Sequence, residues 1–231
     1  MMEISLIILL LLFPIIDLFL DKHKLKNKSA EYIKTALILW AVTSLLLFCF
    51  YQGALSVKPP FILPAAKWKI YLAIFFFIAF IVYMQYVVFS IYKNNKVRTY
   101  ILENIKKEDD SLADILPSSR NEFLLFTMLV SVSAGICEEL IFRWYLYNFI
   151  ELKTEWIIAV IASSFVFGLW HLYLGWRHVI KTTLVGIFLC GVYLYFESIV
   201  IAIITHILMD VYSGTIAYHS KKAASDPISG K

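Results

Sequence analysis

Glu138, Glu139 and Arg143 stand inside an apolar run that begins near Phe123 and continues past Arg143 through Trp144-Tyr145-Leu146-Tyr147. One ionised group at the centre of a membrane helix costs roughly 2.5 to 3.5 kcal/mol on insertion scales, so charges placed this way mark a functional site by default. Two later apolar stretches also carry polar side chains at helical spacing. Phe167 precedes His171 by four residues, and His206 precedes Asp210 by four, so each pair shares one helix face. Glu139 and Arg143 are also four apart and can pair. Glu138 points about 100° away on a regular helix and has no sequence neighbour to neutralise it.

This set can activate water against a carbonyl. A carboxylate taken out of water is a stronger base than one left in it. The unpaired Glu138 is therefore read as the general base, and Glu139 as the structural partner of Arg143. His171 would orient the water or shuttle its proton, and His206 would donate a hydrogen bond to the oxyanion formed at the scissile carbonyl. Asp210 would hold the other ring nitrogen of His206. Each element also has a plainer reading: a helix-locking ion pair for Glu139 and Arg143, an interhelical hydrogen bond for a single histidine, packing for Phe167. The coincidence of Glu138, His171 and His206 in one membrane layer favours chemistry. His23, His178 and His219 lie near span ends and read as interfacial, and Asp17 as a snorkelling end residue.

The elements that must position these groups are membrane helices. At 231 residues, 61% hydrophobic content and a mean hydropathy of +0.76 place the chain in the polytopic membrane class and exclude a soluble domain or a nucleic-acid binder. Seven spans are expected: 4–20, 33–51, 68–92, 122–149, 156–174, 179–196 and 198–218. The first, with a basic cluster behind it and no small-x-small site, reads as a retained anchor. Residues 93–121 form a polar, partly amphipathic connection suited to a membrane surface. It closes on Ser119-Arg120-Asn121-Glu122, a capping box ahead of the fourth span. Residues 122–219 carry the chemistry, and 220–231 read as a disordered tail. Cys49, Cys137 and Cys190 read as buried small hydrophobes.

With alternate connections on one side, sixteen lysines and arginines collect on the side of the C-terminus and four on the other. The positive-inside rule then puts the N-terminus outside and the C-terminus in the cytoplasm. At 1.5 Å per residue from the non-cytoplasmic side, Glu139, His171, His206 and Asp210 lie between about 12 and 22 Å deep in a core of about 30 Å, so they can converge.

These motifs resemble those of the CPBP intramembrane proteases, the CAAX protease and bacteriocin-processing (Abi, type II CAAX prenyl endopeptidase) family. Its pattern of Glu-Glu-x-x-x-Arg, Phe-x-x-x-His and His-x-x-x-Asn/Asp on successive membrane helices is matched by Glu138-Glu139 with Arg143, Phe167 with His171, and His206 with Asp210. The resemblance implies a helical bundle and hydrolysis of a peptide bond in an intramembrane cavity, with Glu138 and His171 activating water and His206 with Asp210 at the oxyanion. It implies a peptide or protein substrate in contact with lipid: a CAAX-like tail, a peptide precursor or a membrane-protein segment, in what is expected to be a bacterial cell membrane. No cofactor is expected to be required. Were zinc bound, Glu138, His171 and His206 would be its ligands. A non-catalytic immunity or scaffold protein of the same fold is the alternative.

Overall fold

The computed structural model describes residues 2–22, 25, 27–108 and 114–225. His23, Lys24 and Lys26, residues 109–113 of the polar connection and residues 226–231 of the tail lie outside these. The fold is all-α, with no strand among the described residues, and forms a polytopic helical bundle of an integral membrane protein.

Among the described residues the main helices are, in order, α1 (Met2–Lys22), α2 (Lys28–Tyr51), α3 (Lys67–Lys93), α4 (Asn95–Glu108), α5 (Arg120–Glu151), α6 (Trp156–Leu169), α7 (Trp176–Phe196) and α8 (Ile199–Ser225). Six are long and apolar enough to cross a membrane; α6 is shorter and α4 is polar. Local sequence fixes several boundaries. Asn27 caps α2 by accepting from the Ser29 amide at 2.9 Å. The expected capping box opens α5: Ser119 Oγ accepts from the Glu122 amide at 3.3 Å, while Glu122 accepts from the Ser118 and Ser119 amides. Glu197 closes α7 in the left-handed region at φ 52°, and its carboxylate meets Lys69 Nζ at 2.9 Å. Ser198 then accepts from the Ile201 amide at the start of α8 and donates to the Ile62 carbonyl at 2.6 Å.

The main core gathers where α1 and α2 meet the second half of α5, with α6 and α7 behind. Its largest hydrophobic side chains under 2% exposed, Phe142, Trp144 and Tyr145, all come from α5, the central helix of the bundle. Trp144 donates its indole N–H to the Lys58 carbonyl at 2.8 Å, tying down the loop between α2 and α3.

Two boundaries differ from the sequence expectation. The fifth span, expected over 156–174, ends at Leu169, and the chain turns through a 3₁₀ segment at Leu172–Leu174 before α7. Fourteen helical residues reach only about 21 Å. The turn satisfies its own backbone, as burial in an apolar layer requires: the amides of His171, Leu174 and Gly175 donate to the carbonyls of Gly168, His171 and Leu172. Gly175 at φ 88° then lets the chain reverse.

Residues 220–225, expected to open a disordered tail, continue α8. Ser220 and Ala223 are buried, and Lys221 Nζ donates to the Leu116 carbonyl at 3.1 Å, so packing against the connection before α5 holds the last turns in place. His178, expected at the interface, is buried at the start of α7, and His219 accepts its place against Tyr92, whose hydroxyl lies 2.9 Å from Nδ1.

Candidate active site

Two closely approached helix crossings assemble the polar residues. At the α5–α8 crossing, a Cβ on Gly135 would stand 2.4 Å from Ile207 Cγ1 and 3.2 Å from the Ile203 carbonyl oxygen. Only a glycine lets α8 come that near, and His206 lies between those two α8 residues. At the α6–α7 crossing, a Cβ on Gly168 would stand 2.7 Å from the Val179 carbonyl. This crossing fixes the end of α6, from which the His171 turn departs. Sequence reasoning missed both glycines. The signal that marks them is their offset of three residues ahead of Glu138 and of His171, one helical turn in each case.

His206 is the hub. Its Nδ1 lies 2.8 Å from Glu139 Oε1, and its Nε2 lies 3.7 Å from Glu138 Oε2 and 3.8 Å from Asp210 Oδ2. Because an ionised carboxylate can only accept, Nδ1 donates its proton to Glu139. Nε2 is then the atom left to work, as a base in a neutral ring and as a donor in a doubly protonated one.

One pairing differs from the sequence expectation. Glu139, not Asp210, holds the imidazole. Asp210 stands at 3.8 Å from the opposite nitrogen, too far for a hydrogen bond. Glu138, with no neighbour in sequence to neutralise it, meets His206 Nε2 across the α5–α8 crossing. From Glu139 to Tyr147 the helix is a π-helix, but Glu138 and Glu139 themselves keep regular helical dihedrals, φ −71° and ψ −37° and φ −65° and ψ −38°. Two carboxylates about 100° apart on α5 therefore reach the two nitrogens of one ring on α8.

Glu139 also faces Arg143, with Oε2 3.1 Å from Nε. Both are fully enclosed, at 0% and 2% exposure, so neither charge is tolerable without the other. The two terminal nitrogens of Arg143 find no hydrogen-bond partner among the described residues, but the guanidinium carbon lies 4.2 Å over the ring of Phe167. That cation–π contact substitutes for hydration. The same Phe167 ring meets His171 edge-on at 5.2 Å and His206 at 6.0 Å between centroids. Phe167 is thus the apolar wall on which both imidazoles and the guanidinium are seated.

His171 lies beyond the end of α6, in the turn, where Nδ1 stands 3.2 Å from the Phe167 carbonyl. With Glu138 it lines a cavity of about 390 Å³. Phe13 and Leu20 of α1, Tyr32 and Leu39 of α2, and Ile115 form the sides, while Lys28, Glu31, Lys34 and Asp114 carry charge to it. Asp17, expected to snorkel at a helix end, is on the wall of this cavity. Lys34 pairs with Glu31 at 2.6 Å, and Lys28 Nζ donates to the Leu116 carbonyl at 3.2 Å. Glu138 and His171 are therefore brought to one cavity, with His206 behind Glu138 and Asp210 beside it.

Among the described residues no group of three or more His, Cys, Asp or Glu side chains is placed to hold an ion. Cys49, Cys137 and Cys190 are buried and free.

Comparison with curated proteins and with solved structures returned no match. Comparison with family models returned one, over the stretch that holds Glu138, Glu139, Arg143, Phe167, His171, His206 and Asp210. Residues 120–212 match the family model described as type II CAAX prenyl endopeptidase Rce1-like.

Proposed function

We propose that the protein is an intramembrane endopeptidase in which Glu138 removes a proton from water as its oxygen attacks a peptide carbonyl. His206 Nε2, doubly protonated, donates to the developing oxyanion, and His171 positions the water from the other side of the cavity. The tetrahedral intermediate collapses with cleavage of the C–N bond, and the proton held by Glu138 passes to the leaving amine, leaving a new carboxylate and a new amino group. Glu139 and Arg143 keep His206 in place.

The observation that carries this reading is the placement of His206, with Glu139 bound at Nδ1 and Glu138 facing Nε2 at 3.7 Å beside a cavity. That gap is too long for a direct hydrogen bond, and a water bonded to Glu138 Oε2 and His206 Nε2 together suits it. Oriented donors and a base in a site shielded from bulk water are what carbonyl addition needs.

The substrate we infer is a peptide or protein segment that reaches this cavity of about 390 Å³, a peptide precursor or the loosened end of a protein chain. The charged residues at the cavity lie on the side where the excess of lysine and arginine collects. Entry from the cytoplasmic face agrees with a cytoplasmic C-terminus.

Purified protein in liposomes, offered quenched-fluorescent peptides with and without a prenylated C-terminal tail, tests the proposal. Cleavage of at least one peptide by the native chain, and none by Glu138→Gln or His171→Ala at equal folded yield, is expected. A cellular phenotype that survives both substitutions would instead favour the non-catalytic reading.

A further inference from the structure

Trp170 sits immediately before His171 and is held by a helix from the far end of the chain. Its indole Nε1–H donates at 3.0 Å to the carbonyl of Leu10 in α1, and its ring stacks on Phe13 at 4.0 Å with planes 25° apart. On its other side it meets Phe142 edge-on at 4.9 Å, and it is almost fully buried. Leu10 can receive this bond for a reason written in the sequence. In a helix its carbonyl would accept from the amide four residues on, but that residue is Pro14, which has no N–H. Its ring also clashes with the carbonyl four residues back and turns it outward. A buried carbonyl without a partner in an apolar layer would cost several kcal/mol. Trp170 supplies the partner.

We propose that Trp170 is a positioning residue for His171, and that the carbonyl left bare by Pro14 is its anchor. His171 stands in a turn, past the end of α6, and its backbone amide is bonded only within that turn, to Gly168. The α6–α7 crossing at Gly168 holds the start of the turn, and Trp170, the residue beside His171, ties it to α1. Phe142 and Phe13 clamp the indole ring from two sides, and the Leu10 carbonyl fixes its rotation. The proline in α1 and the histidine of the cavity thus form one unit, although α1 lies outside residues 120–212. The helix walls the same cavity through Phe13 and Leu20, so it contributes both a side of the substrate space and the seat of His171.

The inference rests on the protease reading for its kinetic consequence but not for its structural one, and the test separates them. The full chain in nanodiscs is prepared with ¹⁵N-histidine, and the His171 imidazole signals are assigned by their loss in His171→Asn. Trp170→Phe keeps the ring and removes the N–H; Pro14→Ala keeps the turn and restores a competing N–H to Leu10. Each is expected to move or broaden the His171 signals. The double variant is expected to match the single ones, because both cut the same link. Trp68→Phe, on an exposed face, is expected to leave these signals unchanged. On a cleavable peptide, each single variant is expected to lower kcat by roughly five- to tenfold with KM unchanged, the size expected from one lost hydrogen bond, again without further loss in the double. Unmoved His171 signals, or effects on them that add in the double variant, overturn the proposal. If those signals move as expected but the native chain cleaves nothing, the anchor stands and the protease reading fails.

Discussion

Glu139 binds Nδ1 of His206 at 2.8 Å with one carboxylate oxygen and faces Nε of Arg143 at 3.1 Å with the other. The carboxylate is fully buried, so its charge is tolerable only because both neighbours are there. Removing one partner of a buried pair costs about 3 to 5 kcal/mol, whereas removing both for apolar groups of similar shape costs far less. Arg143→Met alone is expected to destabilise the bundle by about that amount, and Arg143→Met with Glu139→Leu to recover part of it. Unfolding by denaturing detergent, followed by circular dichroism, measures the difference. The double variant is expected to remain inactive even where it is stable, because His206 has lost its orienting carboxylate.

Asp210 and Glu139 divide sharply in what they are expected to do. Asp210 Oδ2 lies 3.8 Å from His206 Nε2 and holds neither ring nitrogen, so Asp210→Asn is expected to keep activity within a few-fold. Glu139→Gln loses the acceptor that fixes the ring and is expected to lower kcat by about 10²-fold or more, by analogy with other orienting groups. Steady-state kinetics of the two variants on one peptide is the check.

Gly135 is predicted to be as sensitive as any polar residue. A Cβ there meets Ile207 at 2.4 Å and the Ile203 carbonyl at 3.2 Å. The first contact is a side chain that can turn away, but the second is backbone. Gly135→Ala is expected to push α8 outward, lowering stability by about 1 to 3 kcal/mol and cutting activity further by drawing His206 from Glu138. Gly135→Ala with Ile207→Ala is expected to restore stability only in part, read as the detergent midpoint.

Since no metal-ligand group forms among the described residues, hydrolysis is expected to proceed undiminished in the presence of a strong chelator. Parallel rates with and without chelator, on protein dialysed beforehand, decide this.

The polar site was legible in sequence because charge is so costly in an apolar run. Glu138, Glu139 and Arg143 announced themselves, and the four-residue spacings of Phe167 with His171 and His206 with Asp210 did the rest. What sequence hid was of two kinds. Helical spacing places Glu138 and Glu139 on α5 and His206 on α8, but which carboxylate meets which nitrogen depends on how the two helices cross. No periodicity of apolar residues reports that crossing. Contacts between distant segments were equally silent: nothing near Pro14 in sequence shows that the Leu10 carbonyl it leaves bare meets Trp170, 160 residues further along the chain than Leu10. The early end of α6 had a trace in Gly168 and Gly175, but Leu172-Tyr173-Leu174 between them looks like more of the same apolar span.

The account depends most on water being split at Glu138. Cleavage of a peptide by the reconstituted protein in H₂¹⁸O, with both fragments weighed by mass spectrometry, measures this directly. One ¹⁸O atom is expected in the new carboxyl group of the N-terminal fragment, and no cleavage is expected from Glu138→Gln with an unchanged detergent midpoint. Cleavage by Glu138→Gln at the native rate, or a folded native protein that cuts no peptide offered in extended form, would contradict it.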